Sequence, residues 1–194
     1  MGDGTNQSTV ERHLMAGTYT PVTVDLDVDA ERTDLLTLLR DQRALLKITA
    51  RGLSDEQART ASTVSALTVG GLIKHVSRVE RDITSQIIER DENAELDMEA
   101  LGDAYDLRDD ETLAGCLEQY EKSADEFDRL IAGIDSLDEL IPQARAPWQP
   151  ELTWWSVRKL VLHLLRETAH HSGHADIIRE SLDGQTTMAA LFEN

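Results

Sequence analysis

The run Trp155-Ser156-Val157-Arg158-Lys159-Leu160-Val161-Leu162-His163-Leu164-Leu165-Arg166-Glu167-Thr168-Ala169-His170-His171-Ser172-Gly173-His174-Ala175-Asp176-Ile177-Ile178-Arg179-Glu180 decides the fold of this chain. Its apolar residues recur every three or four positions, the repeat of one face of an α-helix. With Leu164 set at zero, Val157, Leu160, Val161, Ala175 and Ile178 all fall within about 60° of it at about 100° per residue. A helix of this length with one apolar stripe has to bury that stripe against other helices.

Three further stretches have the same character. The first helix is expected over about 30–51, with Asp29 as N-cap, Leu35, Leu38, Leu39, Leu45 and Leu46 at helical spacing, and Gly52 as its stop. Ser54-Asp55-Glu56-Gln57 reads as a short capping-box turn. Thr68 caps a second helix to about 90, with the stripe Leu72, Val76, Val79, Ile83 and Ile87. A third helix is expected from Asp109 or Asp110 to about 134, carrying Leu113, Leu117, Tyr120, Phe127, Leu130 and Ile131. The fourth opens at Thr153 and stops at Gly184. The segment 91–109 is acidic and irregular, and 135–152, with Pro142, Pro147 and Pro150, reads as a long loop. Four long amphipathic helices without an alternating strand pattern define an all-α fold, a four-helix bundle. The domain plan is a flexible leader and extended arm over 1–28, a bundle over 29–184, and a C-terminal tail over 185–194 whose apolar cluster around Leu191 and Phe192 docks on the bundle.

Composition supports this plan and narrows the function. The chain has 194 residues, enough for one domain, and only 4% are aromatic, so its core is aliphatic. A net charge of -18 repels phosphate backbones and anionic lipid, which argues against nucleic acid and membrane as partners. A single cysteine, Cys116, rules out an internal disulfide framework and fits a cytoplasmic setting. It lies on the third helix at core spacing, as a small apolar residue would. No secretory signal or membrane span is apparent.

The chemistry concentrates on the fourth helix, where four of the six histidines lie between positions 163 and 174. On the same wheel His171 falls about 20° from the stripe axis and Glu167 about 60°, whereas His174, His163 and His170 lie at about 80°, 100° and 120°. A carboxylate on the core side of a bundle is costly unless it is paired or holds a metal. Glu167 and His171, four residues apart on one face, serve either a hydrogen-bonded pair or a metal. The second helix adds His75 to its own apolar stripe, between Leu72 and Val79. Two helices then present ligand types to one interior, the way bundle metal sites are built. His75, Glu167 and His171 make a two-His, one-carboxylate set with an open position, suited to zinc first and also to iron(II) or nickel. A competing set, His75, His170 and His174, spells H-x-x-x-H on the fourth helix, and helix phase disfavours it because His170 points away from the stripe. His174 is placed as a proton carrier or as support behind the ligands. Asp176 and Arg179 are expected on the solvated outer face.

These residues also carry a family resemblance. The run from Trp155 to Glu180, with its Gly173-His174-Ala175-Asp176 ending, resembles the last helix of the DinB-like superfamily, in particular its actinobacterial branch. Leu67-Thr68-Val69-Gly70-Gly71-Leu72-Ile73-Lys74-His75-Val76 resembles the start of that family's second helix, with its single ligand histidine. The resemblance spans about 30–183. It implies an up-down-down-up four-helix bundle, a divalent metal held by three side chains, and a homodimer. Many members carry H-x-x-x-H on the last helix, whereas those resembling mycothiol-dependent maleylpyruvate isomerase carry E-x-x-x-H. This chain has Glu167 and His171 in those places, so the resemblance implies His75, Glu167 and His171 as ligands and mycothiol as cosubstrate.

The expected function is therefore a metal-dependent thiol S-transferase or isomerase, in which a metal stabilises the thiolate of mycothiol and aims it at an electrophilic substrate. The alternatives are a metal-dependent hydrolase using bound water, and a metal-binding bundle without catalysis that acts in stress response or interaction.

Overall fold

The computed structural model describes residues 18–98 and 103–192. Four long helices form its body: α1 (Ala30–Thr49), α3 (Val69–Glu89), α4 (Leu113–Gly133) and α5 (Val157–Asp183). Short helices α2 (Asp55–Ala58) and α6 (Thr187–Phe192) lie beside them, and strands β1 (Leu140–Pro142) and β2 (Trp154–Ser156) form a two-stranded ribbon. The caps follow local chemistry. Asp29 accepts from the Arg32 amide, Thr68 from the Gly71 amide, and Ser54 and Gln57 close a reciprocal capping box. Gly184, at φ 82°, ends α5 in the left-handed conformation that glycine adopts without strain.

Polar bonds between helix ends establish the topology. Arg158 at the start of α5 bonds Glu31 at the start of α1 at 2.5 Å. Arg179 near the end of α5 donates to the carbonyls of Thr49 and Arg51 at 2.8 and 2.7 Å, so α1 and α5 are parallel. Arg32 at the start of α1 donates to the Ile131 and Ile134 carbonyls at the end of α4, at 3.0 and 2.8 Å, so α4 runs the other way. Lys74 and Glu111 meet at 2.7 Å, which brings the starts of α3 and α4 together. The order is up-down-down-up. Parallel α3 and α4 require a connection that returns the length of a helix, and the segment 90–112 makes it.

Two helix starts differ from the sequence expectation. α4 begins at Leu113 rather than at 109 or 110, with the Thr112 hydroxyl accepting from the Gly115 amide at 3.1 Å. The Glu111 carboxylate just before it is engaged by Lys74 and by the Arg108 amide. α5 begins at Val157, not Thr153, because Trp154–Ser156 pairs antiparallel with Leu140–Pro142, Ile141 facing Trp155. The Thr153 carbonyl accepts from the Gln143 amide at 2.8 Å and is not free to start a helix. The expected long loop over 135–152 thus contains a strand.

The bundle interior is two apolar halves with a polar layer between them. One half gathers Leu36, Leu39, Ile83, Phe127, Val157 and Leu164, and the other Leu46, Leu72, Val76, Tyr120, Ala175 and Ile178. In sequence, Arg43 falls between Leu39 and Leu46, and Glu80 between Val76 and Ile83. Both are buried, and Arg43 bonds Glu80 and also Asp128, the latter at 2.8 Å. Thr168 and His171 occupy the matching interval of α5, between Leu164 and Ala175.

Arg179 corrects another expectation. It is 5% exposed rather than solvated, because its guanidinium satisfies carbonyls at the end of α1 and the Asp183 carboxylate. Asp176 accepts from the Thr187 amide at 2.6 Å and so ties α6 to α5. Of the arm expected over 1–28, residues 1–17 lie outside the described residues. Farther along, the Thr20 amide and hydroxyl both donate to Asp41 at 2.7 Å, and Val24 and Leu26 pack on the first apolar half. The C-terminal segment forms α6, which packs against α1 with Ala190 buried.

Candidate metal centre

Glu167 and His171 lie one turn apart on α5, and the antiparallel α3 brings His75 against them. One ligand atom from each residue can be chosen so that all three lie within 4.8 Å of one another. Nε2 of His171 is 3.6 Å from Oε2 of Glu167. Two ligands at zinc distance from one tetrahedral ion sit about 3.4 Å apart, so this pair already has a ligand's spacing. The two imidazoles meet edge to face with centroids 4.8 Å apart. His75 and His171 are buried, and Glu167 is half-buried.

Electrostatics put each group in its ligating form. Burial, followed by the proximity of His171, pushes His75 down to about 4, so its ring is neutral near neutral pH. Burial also lowers His171, against the pull of Glu167. For Glu167, burial raises the carboxyl, but the Arg166 hydrogen bond and the charges of His163, Arg166 and His171 outweigh it and hold it below its ordinary value. Neutral imidazoles and an ionised carboxylate are the forms a divalent metal requires. Nδ1 of His75 and Nδ1 of His171 are buried without a hydrogen-bond partner among the described residues. With both Nδ1 atoms shut in, Nε2 is the nitrogen each ring offers to the site. The donor set, the spacing and the charge state fit a divalent cation.

The remaining histidines sort by position. His170 is exposed. His174 is half-buried, with its ring 4.4 Å from His170 and 5.7 Å from His171. Neither belongs to the three-residue cluster. His163 sits one turn before Glu167, with Nδ1 3.7 Å from Oε1, and receives a bond from Arg166 at 2.8 Å. Arg166 also donates to Glu167 at 2.8 Å, so it fixes one carboxylate oxygen while the other faces His171.

Sequence reading misses Tyr105, which lies in the segment taken as irregular. Its ring stacks on His75 at 4.0 Å with planes 17° apart, and its hydroxyl is 3.1 Å from Nε2 of His75. Burial, and then the Glu167 charge, push the phenol above its ordinary value, so it keeps its proton. The available signal was Gly70-Gly71 one turn before His75. A Cβ on Gly71 would lie 2.0 Å from the Tyr105 carbonyl oxygen, so only glycine admits this backbone.

Fold and site together define an up-down-down-up helical bundle with a His-Glu-His cluster compatible with a divalent metal. The mycothiol-S-transferase family profile matches residues 34–184, and the chain belongs to that family. Among solved structures, the chain is similar to YfiT from Bacillus subtilis, described as a probable metal-dependent hydrolase with an unusual four-helix bundle topology. The two share 16% identity over 84% of this chain and 93% of that one, with a TM-score of 0.55, a likeness of fold. No curated protein sequence matches the chain. No described helix is long and apolar enough to cross a membrane.

Proposed function

We propose that this protein is a metal-dependent thiol S-transferase in which His75, Glu167 and His171 hold a divalent cation. Zinc suits two imidazoles and a carboxylate with an open position, and nickel or iron(II) are the alternatives. When bound, the cation supplies Lewis acidity that lowers the pKa of a thiol at the open position. Mycothiol is the thiol that family membership points to, and the second substrate is a small electrophile. The functional unit is the bundle over 29–184, acting in the cytoplasm as a homodimer.

The chain's own residues divide the work. Neutral His75 and His171 donate lone pairs, and Glu167 brings the one negative charge that partly balances the cation. Arg166 fixes the orientation of Glu167. His174, beside His171 and half-buried, takes up the proton that the thiol sheds. Burial raises the Cys116 thiol above its ordinary value and so disfavours its thiolate form. The observation that carries the reading is the meeting of Glu167, His171 and His75 in one cluster within a chain of the mycothiol-S-transferase family.

Elemental analysis of the purified protein should find near-stoichiometric metal, lost in His171→Ala. A metal-free wild type removes the site hypothesis and leaves a bundle without catalysis of this kind. With metal present, consumption of mycothiol in the presence of a generic electrophile marks the transferase or isomerase. The second reading, a metal-dependent hydrolase, draws on the fold shared with YfiT. Hydrolysis of an ester or amide panel without thiol loss would favour it.

A further inference from the structure

The chain has three tryptophans, and they fall together at Trp148, Trp154 and Trp155. Trp148 and Trp155 line a cleft of about 470 Å³ at the loop end of the β1–β2 ribbon, with Gln143, Gln149, Thr153 and Lys159 also on its walls. That volume lies within the ~300–1,000 Å³ of small-ligand sites. Trp148 is 66% exposed, yet its backbone is braced. Ala146 and Gln149 exchange amide-to-carbonyl bonds across it at 3.0 and 2.9 Å. The Arg145 amide donates to the Ala94 carbonyl at 2.9 Å, and its own carbonyl accepts from the Leu96 amide at 2.8 Å. The turn therefore holds an indole out to solvent, an apolar exposure that a ligand's face would relieve.

The polar groups around the indoles are ready to bond. The Lys159 ammonium rests 3.8 Å from the centre of the Trp155 ring and makes no ion pair among the described residues. Gln143 donates to the Ile141 carbonyl at 3.0 Å, which leaves its side-chain oxygen as an acceptor. The cleft also adjoins the metal centre. Lys159, His163, Glu167 and His171 follow at four-residue intervals along one ridge of α5. The Trp155 ring meets His163 edge to face at 5.5 Å, and Nδ1 of His163 is 3.7 Å from Glu167. From Lys159 to Glu167 is about 12 Å along the helix axis.

Resting on the thiol-transferase reading above, we propose that this cleft seats the polyhydroxylated end of the thiol cosubstrate, whose sulfur reaches the open metal position. An indole offers a flat apolar face to the C–H side of a sugar ring. Amide, hydroxyl and ammonium groups pair with the hydroxyls around the ring's edge. Only one of these groups is charged, which suits a neutral polyol better than an acid. A ligand that reaches both places is elongated, with a thiol at one end and a polar ring at the other. Mycothiol has that form, a cysteine thiol carried on a sugar and a cyclitol.

The probe is N-acetylglucosaminyl-inositol, the sugar–cyclitol portion without the thiol, titrated into the full-length protein as purified. All three tryptophans lie in the cleft or next to it, so their emission reads its occupancy. A saturable change is expected. Its dissociation constant should rise about three- to ten-fold in Trp148→Ala, where stacking is lost, and return towards wild type in Trp148→Phe, which keeps a ring. Lys159→Ala should weaken binding about three-fold, the loss of one hydrogen bond. In Trp148→Ala the KM for mycothiol should rise by the same factor as the sugar's dissociation constant. The KM for N-acetylcysteine, a thiol without the sugar, and the bound metal should stay at wild-type values. No saturable change with the sugar, or equal affinity in wild type and Trp148→Ala, refutes the assignment even where mycothiol is consumed. A change produced by benzoate and not by the sugar, and lost in Lys159→Ala, refutes it in favour of an anion site. Sugar binding that depends on Trp148, without thiol consumption, upholds the cleft and overturns the transferase reading.

Discussion

Arg43→Met takes one guanidinium out of the middle of the bundle. Arg43 is 4% exposed and bridges Glu80 on α3, at 0% exposure, to Asp128 on α4, at 4%. After the substitution Asp128 keeps Arg40, whose Nε lies 2.6 Å away. The loss therefore falls on Glu80, whose Oε2 already lacks a hydrogen-bond partner among the described residues. Removing one partner of a buried pair costs about 3–5 kcal/mol, and Met fills much of the aliphatic volume, so we expect roughly 3 kcal/mol. The cost depends on pH. Burial lifts Glu80 to about 7 even with Arg43 beside it, and without Arg43 it rises further. At pH 6 the carboxyl is largely protonated in both proteins, so little is lost. At pH 8 it is ionised in the wild type, and the variant must either hold an unpaired charge or take up a proton against the solution. The deficit should grow from pH 6 to pH 8. Adding Glu80→Gln to Arg43→Met should recover about 2 kcal/mol, because a buried carboxylate no longer has to be held without its partner. Urea unfolding followed by far-ultraviolet circular dichroism at both pH values measures the wild type, the two single variants and the double variant. A deficit below about 1 kcal/mol at pH 8, or one equal at pH 6 and pH 8, refutes the reasoning.

Two buried groups should oppose each other in the pH dependence of the metal-stripped protein. Glu80, at about 7 against an ordinary 4.5, binds an extra proton in the native state, so its contribution falls as pH rises from 4.5 to 7. His75, at about 4 against 6.5, sheds a proton on folding, so its contribution falls as pH drops from 6.5 to 4. Each is worth about 3 kcal/mol, so Glu80 should offset the acid-side loss from His75 where the two windows overlap, and Glu80→Gln should make the fall of unfolding free energy on acidification steeper than in the wild type. Gly71→Ala should destabilise by about 1–3 kcal/mol, because Tyr105 backbone must move, while Gly133→Ala, with open space at its Cβ, should be neutral or stabilising. Thermal denaturation of the two side by side is the check. Zn²⁺ at a hundred times its dissociation constant should add about 2.7 kcal/mol to wild-type stability and nothing to His171→Ala. An equal gain in both would place the metal elsewhere.

Much of the fold is legible because helix periodicity is local. The four long helices, their caps at Asp29 and Thr68 and the stop at Gly184 follow from residues within a few positions of one another. The errors arise where a distant partner intervenes. Trp154–Ser156 is a strand because Leu140–Pro142 pairs with it, and Arg179 is buried because α1 ends beside it. Arg43, Glu80 and Asp128 each sit at core spacing in their own helix, and only their meeting reveals a charged layer.

The candidate centre divides along the same line. Glu167 and His171 share a face at i and i+4, a consequence of 3.6 residues per turn, and a sequence alone determines that. His75 is legible as a polar residue on an apolar stripe. That its ring comes within 4.8 Å of His171 depends on α3 running antiparallel to α5 at the right height. The place of Tyr105 depends on tertiary structure entirely, since it sits on an irregular crossover with no period to read. What positions it is the absence of two side chains at Gly70 and Gly71, a vacancy on one helix that acquires meaning only when another part of the chain fills it. Local periodicity therefore determined the helices and the facing pair, while packing between distant segments decided which groups surround that pair.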